Sequence, residues 1–395
     1  MVSRRGVLAG AGVVSVLAVG GGVWRASDRG VFSIGEGPAY EPWQTWRTDA
    51  AEGPLALVRA AILAANPHNT QPWLFQVSER AVALYADTRR HLGSFDPFLR
   101  EMHIGLGCAL ENMVLAATAN GYLAQLGYVG GTLGPMPEAP GAPAPHLVAR
   151  IGLAPGETQP DALYEVIAQR HTNRGPYELD RPVPKDALEA MARMADDDIR
   201  LLLFTEEPQR SRFAEAVVAA TEAIVADHEM VRDSQRWIRS TREAVAKHRD
   251  GPTLDAAGLS PLITALAKVL PPPSAERGHR LWLEATRDVQ VATAPAFGFL
   301  VVRNLDDRAH ALRAGRLWQR LHLYATTRGL AMHPINQPVE LVDRERQLDR
   351  APEAARQLAA LTESSAWRPT FAFRMGYPVR DAALSPRRAL ADVVL

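Results

Sequence analysis

The chain has 395 residues, 47% of them apolar, which is enough to bury the core of one large unit or of two to three domains. Lys plus Arg and Asp plus Glu each number 44, so the chain has no overall positive charge to hold a polyanion, which argues against nucleic-acid binding. The single cysteine, Cys108, excludes an internal disulfide and a cysteine metal cluster, and its apolar neighbours predict a core residue.

Residues 1–25 predict a signal sequence or membrane anchor. Arg4 and Arg5 precede an uncharged run rich in Gly, Ala and Val from Gly6 to Trp24, a pattern that resembles a twin-arginine signal. A run of this length is also close to the roughly 20 residues that span a bilayer. We expect export to the periplasm or cell envelope by the twin-arginine machinery, with membrane contact only through this segment. A buried helix is the alternative.

A first half, residues 50–155, is predicted to begin with a helix from Leu55 to Ala65 and a polar loop from Asn66 to Trp73. Pro67 and Pro72 stop the helix and hold the loop. The loop carries two Asn, a His, a Thr and a Gln, which exceeds the hydrogen-bonding needs of a plain turn. We interpret it as a ligand loop for a flat, polar molecule.

A second half, residues 160–395, repeats the plan of the first. The other predicted elements are strands at Leu74–Val77, Val82–Tyr85, His146–Leu153, Leu201–Phe204 and Phe297–Val302, helices at Arg100–Gly121, Leu163–Arg170, Pro208–Trp237 and Arg308–Arg328, and a loop at Gly130–Pro145. A shift of 208 positions superposes Gly107 on Gly315 and Gly121 on Gly329. We interpret these matches as a trace of duplication.

The stretch from Arg249 to Arg280 shows no clear periodicity and contains three consecutive prolines, Pro271–Pro273. Irregular segments of this length are often functional, so it predicts a lid over a site; a tolerated surface insertion is the alternative.

Two basic clusters predict a phosphate site. Arg170, Thr172 and Arg174 alternate, so an extended backbone would turn them to one side. Two guanidinium groups and a hydroxyl suit a phosphate monoester. Arg387 and Arg388 form a second basic pair near the end of the chain, and the two clusters could converge on one phosphate; the alternative for each is a solvated surface.

A further loop, Met332–Pro338, resembles the first polar loop because it holds a His, an Asn and a Gln between prolines. Three histidines, His68, His171 and His333, lie in these loops and are interpreted as structural hydrogen bonders.

These residues together resemble the nitroreductase superfamily of FMN proteins, and most closely its Acg-like FMN-binding oxidoreductases, in which two subunits are fused in one chain. The resemblance extends from about Leu55 to the C-terminus and is carried by Ala65–Trp73, Arg170–Arg174, and Gly376–Pro378 with Pro386–Arg388. It implies an α+β, nitroreductase-like fold with two related halves forming a pseudo-dimer, and hence a monomer in solution.

The resemblance also implies one FMN between the halves. It assigns FMN binding to Arg170, Thr172, Asn173, Arg174, Arg387 and Arg388 at the phosphate and ribityl end, to Asn66 and Asn69 at the flavin, and to Pro334, Asn336 and Gln337 at the isoalloxazine edge. Many relatives have an acidic residue and a glycine where this chain has Asn336 and Gln337. The first half offers only Trp46–Thr48 where its own phosphate motif would lie, so we expect one complete and one lost site.

The implied activity is the reduction of nitro, quinone or similar acceptors by ping-pong hydride transfer through FMN, with NADH or NADPH as donor. Such a reaction needs no protein nucleophile, and no catalytic residue or metal ligand is predicted. One alternative is a catalytically silent flavin-binding protein whose lid stays closed. Another is a dehydrogenase or dehalogenase of the same fold.

Overall fold

The computed structural model describes residues 25–47, 53–135 and 145–395. The predicted signal or anchor lies outside the described residues except for Arg25, as does most of the predicted loop Gly130–Pro145.

The first sheet is antiparallel and contains four strands. They are β1 (Trp73–Ser78), β2 (Ala81–Ala86), β3 (Tyr122–Tyr128) and β4 (His146–Pro155), in the spatial order β1-β2-β4-β3. A register shift between Leu84 and Tyr85 interrupts the pairing of β2 with β4. The sequence predicted β1, β2 and β4 but not β3, whose alternating burial leaves one face of the strand near solvent.

The second sheet repeats this topology. Its strands are β5 (Ile199–Phe204), β6 (Ala296–Val302), β7 (Ala331–Pro334) and β8 (Arg368–Gly376), in the order β5-β6-β8-β7. All pairs are antiparallel, and the register shift recurs on the equivalent pair, between Leu300 and Val301 where β6 meets β8. Every residue of β6 is buried, as its continuous apolar run requires. The α+β class with a two-part architecture is confirmed.

The helices surround and separate the sheets. They are α1 (Glu41–Thr45), α2 (Leu55–Ala61), α3 (Arg100–Ala119), α4 (Ala162–Glu165), α5 (Lys185–Ala192), α6 (Gln209–Ala226), α7 (His228–Gln235), α8 (Arg242–His248), α9 (Pro261–Val269), α10 (Ala275–Glu284), α11 (Arg308–Thr327), α12 (Gln337–Gln347) and α13 (Glu353–Thr362). A π-helical segment, Ala285–Val291, continues α10. Gly121 follows α3 with φ +79°, the left-handed conformation expected of a glycine just after a helix.

Helices α3 and α11 form the centre of the molecule, and their bounds differ by the predicted offset of 208 at both ends. They touch at Gly107 and Gly315, where a Cβ on Gly107 would lie 2.0 Å from the carbonyl oxygen of Leu312 and one on Gly315 would lie 1.9 Å from that of Ile104. Only glycine permits this approach. Helix α3 packs on the first sheet and α11 on the second, so this contact fixes one half against the other.

Helix α3 is the one described helix that is long and apolar enough to cross a membrane, and 83% of its most apolar window is buried inside the protein, as in a core helix. Cys108 on α3 is 1% exposed, as the sequence predicted.

Three sequence predictions of secondary structure were wrong. The first helix ends at Ala61 rather than Ala65. The predicted helix Pro208–Trp237 breaks at Asp227, which leaves helical geometry and caps α7 by accepting hydrogen bonds from two of its backbone N–H groups. The stretch Arg249–Arg280 is not irregular, because it contains α9 and the first part of α10, from Ala275 to Arg280. Prolines between the two helices hid their short periodicity.

Candidate functional site

The polar loop after α2 has an unusual backbone. His68, Asn69 and Gln71 adopt positive φ angles of 46°, 51° and 51°. For residues other than glycine this conformation costs roughly 1 kcal/mol or more each. The Asn66 side chain supports the loop, since its Oδ1 accepts a hydrogen bond from the Gln71 N–H at 2.8 Å. Strain of this kind is retained where a loop must present particular groups.

The loop is bound to the C-terminal tail. Asn69 donates from Nδ2 to the carbonyl of Pro386 at 2.9 Å, and its Oδ1 accepts from Arg387 Nη1 at 2.5 Å. Gln71 accepts from the Arg388 N–H at 2.8 Å. The structure therefore brings the predicted residues Asn69, Arg387 and Arg388 together across more than 300 residues of chain.

Two buried guanidinium groups meet at the carbonyl oxygen of Leu63. Arg170 donates to it from Nη2 at 3.0 Å, and Arg387 from Nη2 at 3.5 Å. Their residues are 2% and 3% exposed, and the Nε of each has no hydrogen-bond partner among the described residues. Arg387 also stacks over the ring of Trp43, with 4.6 Å between Cζ and the ring centroid.

The charges of this arginine pair are not neutralised by any carboxylate within ion-pair distance in the described part of the chain. Burial lowers the pKa of Arg170 to about 10. Burial, and then the charge of Arg170, lower the pKa of Arg387 well below its usual value. The pair is therefore a preformed site of positive potential with free donors, which suits an anion.

The segment Arg170–Arg174 runs beside β7. Thr172 pairs with Met332 in a parallel bridge, and Asn173 donates its N–H to the Met332 carbonyl. The side chain of Asn173 donates to the carbonyl of Arg380 at 2.7 Å. Asn173 thus anchors the segment between the second sheet and the tail.

Arg174 lies, partly buried, between the predicted lid and His68 of the first polar loop. Its Nη1 donates to the carbonyl of Ala256 at 3.2 Å. Burial first, and then the charge of Arg174, lower the pKa of His68 to about 4, so His68 is neutral near pH 7. His68 in turn shares a hydrogen bond of 2.9 Å with Ser234 Oγ.

Arg374, on β8, was missed by sequence reasoning. It is fully buried, donates to the carbonyls of Asn173 and Gly175 at 3.3 and 2.8 Å, and donates from Nε to His333 Nδ1 at 3.1 Å. Arg374 fixes the backbone of the basic segment and adds a further buried charge. An arginine inside the apolar strand Phe371–Met375 was the available signal.

The predicted loop Met332–Pro338 is bound to the first half. Asn336 donates from Nδ2 to Glu101 Oε1 at 2.9 Å and accepts the Ala372 N–H at 2.7 Å. Its amide is therefore committed to protein partners, whereas the buried Gln337 Oε1 has none among the described residues. Pro334 ends β7, next to the basic segment.

The first residues of the predicted lid contact the Asn66–Trp73 loop and the basic segment Arg170–Arg174. Gly251 donates its N–H to the Asn69 carbonyl at 3.1 Å, and the Arg249 carbonyl accepts from Gln71 Nε2 at 2.8 Å. Gly258, at φ +79°, packs on the backbone of Arg174, where a Cβ would lie 2.4 Å from the carbonyl carbon.

A surface cleft of about 170 Å³ lies beside the tail, and its lining includes Arg59, Arg249 and Ala389 but not Arg170 or Arg174. Among residues 25–47, 53–135 and 145–395, no group of three or more His, Cys, Asp or Glu is placed to hold a metal ion.

The chain is similar to known nitroreductases. It is 30% identical over 373 residues, covering 91% of this chain and 95% of the relative, to the protein Rv3131 of Mycobacterium tuberculosis strain H37Rv, which carries the provisional name NAD(P)H nitroreductase. The equivalent protein of strain CDC 1551, MT3217, gives the same values. No family model matches the chain.

Two solved structures are more distant. The FMN-dependent nitroreductase NfnB from Mycobacterium smegmatis in complex with NADPH is 16% identical with a TM-score of 0.38, covering 58% of this chain and 96% of that one. A nitroreductase with bound FMN from Bacteroides fragilis is 14% identical with a TM-score of 0.34, covering 58% and 95%. At these scores neither likeness assigns a ligand to this chain.

Proposed function

The chain belongs to the nitroreductase family, and on that basis we propose that it is an FMN-dependent NAD(P)H oxidoreductase that reduces nitro, quinone or similar acceptors. The proposal that FMN is the cofactor rests on the pair Arg170 and Arg387. These arginines are buried together and share the carbonyl of Leu63. Two like charges in such a position destabilise the fold unless a ligand neutralises them.

The FMN phosphate fits this pair. A phosphate monoester carries up to two negative charges and oxygen acceptors for the Nε atoms of Arg170 and Arg387, which have no partner among the described residues. Arg174, which faces the same loop from the second half, extends the basic surface. The strained loop would bring Asn66 and Asn69 next to the flavin from the first half, while their amides hold the loop and Arg387 in place.

FMN, when bound, supplies the hydride transfer, and the protein supplies binding, orientation and electrostatics. Arg170 and Arg387 would hold the phosphate. Asn69 would hold Arg387 in place through their hydrogen bond. Arg374 would keep the basic segment extended by binding the carbonyls of Asn173 and Gly175.

We further propose one FMN per chain in a fused pseudo-dimer. Gly105 on α3 gives the Asn66 loop room, since a Cβ there would lie 2.7 Å from Pro67 Cδ. Its counterpart 208 positions later, Arg313, instead pairs with Asp196 at 2.7 Å and with Asp198, which precede β5 as the Asn66 loop precedes β1. At this position the second half therefore has partly exposed ion pairs in place of the polar loop, and we expect no second FMN there.

Retention of FMN tests the cofactor. The double variant Arg170→Ala with Arg387→Ala should lose flavin absorbance on desalting, because both charged ligands of the phosphate are removed. Arg193→Ala, an exposed arginine on the C-terminal side of α5, should retain it. A folded double variant that keeps a stoichiometric flavin refutes the site.

Anaerobic mixing with NADH or NADPH tests turnover. Bleaching of the flavin, followed by reoxidation with a nitroaromatic or a quinone, is the expected result. The contacts of Arg249 and Gly251 with the Asn66–Trp73 loop, and of Gly258 with Arg174, favour a second candidate, a flavin-holding protein closed by its lid. Failure to bleach with either donor in a flavin-loaded protein supports that candidate and overturns the reductase.

We also propose export by the twin-arginine route, on the basis of Arg4, Arg5 and the apolar run that follows. Changing both arginines to lysine should retain the protein in the cytoplasm on cell fractionation. An unchanged distribution contradicts this route.

A further inference from the structure

Helix α9 lies at the surface, but it buries its polar face and exposes its apolar face. Its buried face is polar: Thr264 is 5% exposed, and the Lys268 side chain is 9% exposed. Its exposed face is apolar, with Leu262 69%, Ile263 48% and Leu266 45% exposed. Surface helices of soluble proteins normally bury the apolar face and expose the polar one.

The inward face is held by specific polar contacts. Lys268 Nζ donates to the carbonyl of Gly30 at 2.9 Å and pairs with Asp255 at 2.7 Å. Thr264 donates its hydroxyl to the carbonyl of Ser260 at 3.0 Å. The Thr264 bond lies within the helix, whereas the two contacts of Lys268 hold this side of α9 against the protein and so turn its leucines outward.

The apolar face of α9 continues into the residues that flank the helix. Leu259, Leu262, Ile263, Leu266 and Leu270 are all exposed, and we call this set the apolar patch. Exposed apolar surface of this kind marks an interaction site. Two further exposed apolar residues, Phe32 at 69% and Ile34 at 47%, follow Gly30 in the amino-terminal segment.

The patch adjoins the point where the apolar run Gly6–Trp24 enters the described structure. Arg25 directly follows that run, and Gly30, five residues later, is the group bound by Lys268. If the run is held in a membrane, as its sequence predicts, then the apolar patch lies on the side of the protein nearest the bilayer.

Charged residues of both signs lie on the segments around the patch. Arg25, Arg242, Arg277 and Arg280 are exposed, and so are Asp28, Glu36, Glu243 and Glu276. Arg242 packs beside Gly30, since a Cβ on Gly30 would lie 3.5 Å from Arg242 Cδ. A cleft of about 150 Å³ is lined by residues that include Arg29, Glu36, Arg239, Arg242, Asp255 and Lys268. Asp255 is paired there with Lys268, and Arg239 with Asp250.

We propose that the apolar patch docks into the surface of a lipid bilayer, with α9 lying in the interface and Arg25 and Arg242 near the lipid phosphates. A helix that lies in the membrane interface buries an apolar side in the bilayer and keeps its polar side away from the acyl chains. The position of the patch beside the end of the predicted membrane segment favours a bilayer as the occupant.

A fluorescent label tests the docking directly. Leu262→Cys is labelled with nitrobenzoxadiazole in the full chain, where the native Cys108 is buried and unreactive. The labelled protein is mixed with vesicles of phosphatidylcholine and phosphatidylglycerol that carry a nitroxide on their acyl chains. The matched control is Leu123→Cys, a leucine of β3 that is 64% exposed and outside the patch.

The label at Leu262 should shift to the blue and be quenched by the nitroxide, while the label at Leu123 should stay as it is in solution. Adding Leu266→Glu to the labelled protein should weaken vesicle binding more than about tenfold, since it places a charge in the apolar interface. Circular dichroism that matches the parent verifies the fold of each variant.

Three results would overturn the proposal. Equal, unquenched emission from both labels on vesicle-bound protein means that the apolar run alone attaches it. A doubled mass in light scattering, lost in Leu266→Glu, identifies a second copy as the occupant. An unquenched label on monomeric protein that is already shifted to the blue without vesicles identifies a segment of the chain itself.

Discussion

Substitution of Gly107 by alanine tests the central contact between the halves. The added Cβ would lie 2.0 Å from the carbonyl oxygen of Leu312 and 2.9 Å from the Cα of Gly315. Real Cβ atoms essentially never approach another heavy atom closer than 3.0 Å, so the two helices must separate by about 1 Å, and a gap of 0.5–1 Å already forfeits a quarter to a half of each van der Waals contact.

The expected loss of stability follows from these distances. Overpacking typically costs about 1–3 kcal/mol, and here the obstacle is backbone rather than a mobile side chain, so the upper part of this range applies. Alanine is more favourable than glycine inside a helix by about 1 kcal/mol, which offsets part of this loss. A net loss of about 2 kcal/mol should appear in urea unfolding as a lower midpoint. FMN retention should fall as well, since the proposed site needs groups from both halves.

Gly278→Ala is the matched control for this substitution. Gly278 also lies inside a helix, α10, but a Cβ there meets nothing within 4 Å. The control should gain up to about 1 kcal/mol from helix propensity alone. If Gly107→Ala is as stable as Gly278→Ala, the close approach of α3 and α11 is not what holds the halves together.

Three further substitutions test other parts of the structure. Arg170→Met should stabilise the FMN-free protein by about 1–3 kcal/mol, because it removes one of two adjacent buried charges, whereas the exposed Arg193→Met should not; a destabilised FMN-free variant in urea unfolding contradicts this. Burial first, and then the charge of Asp96, raise the pKa of Glu101 to about 8, so the folded state holds a proton that the unfolded chain releases above its ordinary value of 4.5. The unfolding free energy should therefore fall between about pH 4.5 and pH 8, by at most about 1.4 kcal/mol per pH unit, and Glu101→Gln should flatten this part of the profile; identical slopes would refute the assignment. Asp227→Ala should cost about 1–3 kcal/mol, because it removes the cap of α7 and a carboxylate partner of Arg344 at 2.8 Å, and an unchanged thermal midpoint would contradict this role.

The local sequence determined a large part of the fold. Strong periodicity over 20 residues placed α3 and α11, and Gly121 marked the end of the first because a left-handed residue there favours glycine. Matching glycine, leucine and alanine residues predicted an offset of 208 positions. The first and last residues of α3 and α11 differ by this offset. Prolines located the Asn66–Trp73 loop in the same way, since their effect on the backbone acts over one or two residues.

Local sequence patterns did not predict several of the short elements. Strands β3, β7 and β8 were missed because their identity depends on the neighbours they pair with rather than on their own alternation. Helix α9 was missed because it is short and lies beside the prolines Pro271–Pro273, which hid its periodicity.

Only the tertiary structure determined which side chains that are distant in the sequence contact one another. The sequence supplied Arg170, Arg387 and Asn69 as candidates, but not the fact that both arginines bind the carbonyl of Leu63, nor that Asn336 is committed to Glu101. Such contacts depend on how the two halves pack through α3 and α11, which no local pattern encodes. Composition and spacing therefore determined which residues could form a site, and the packing of the two halves determined which of them meet.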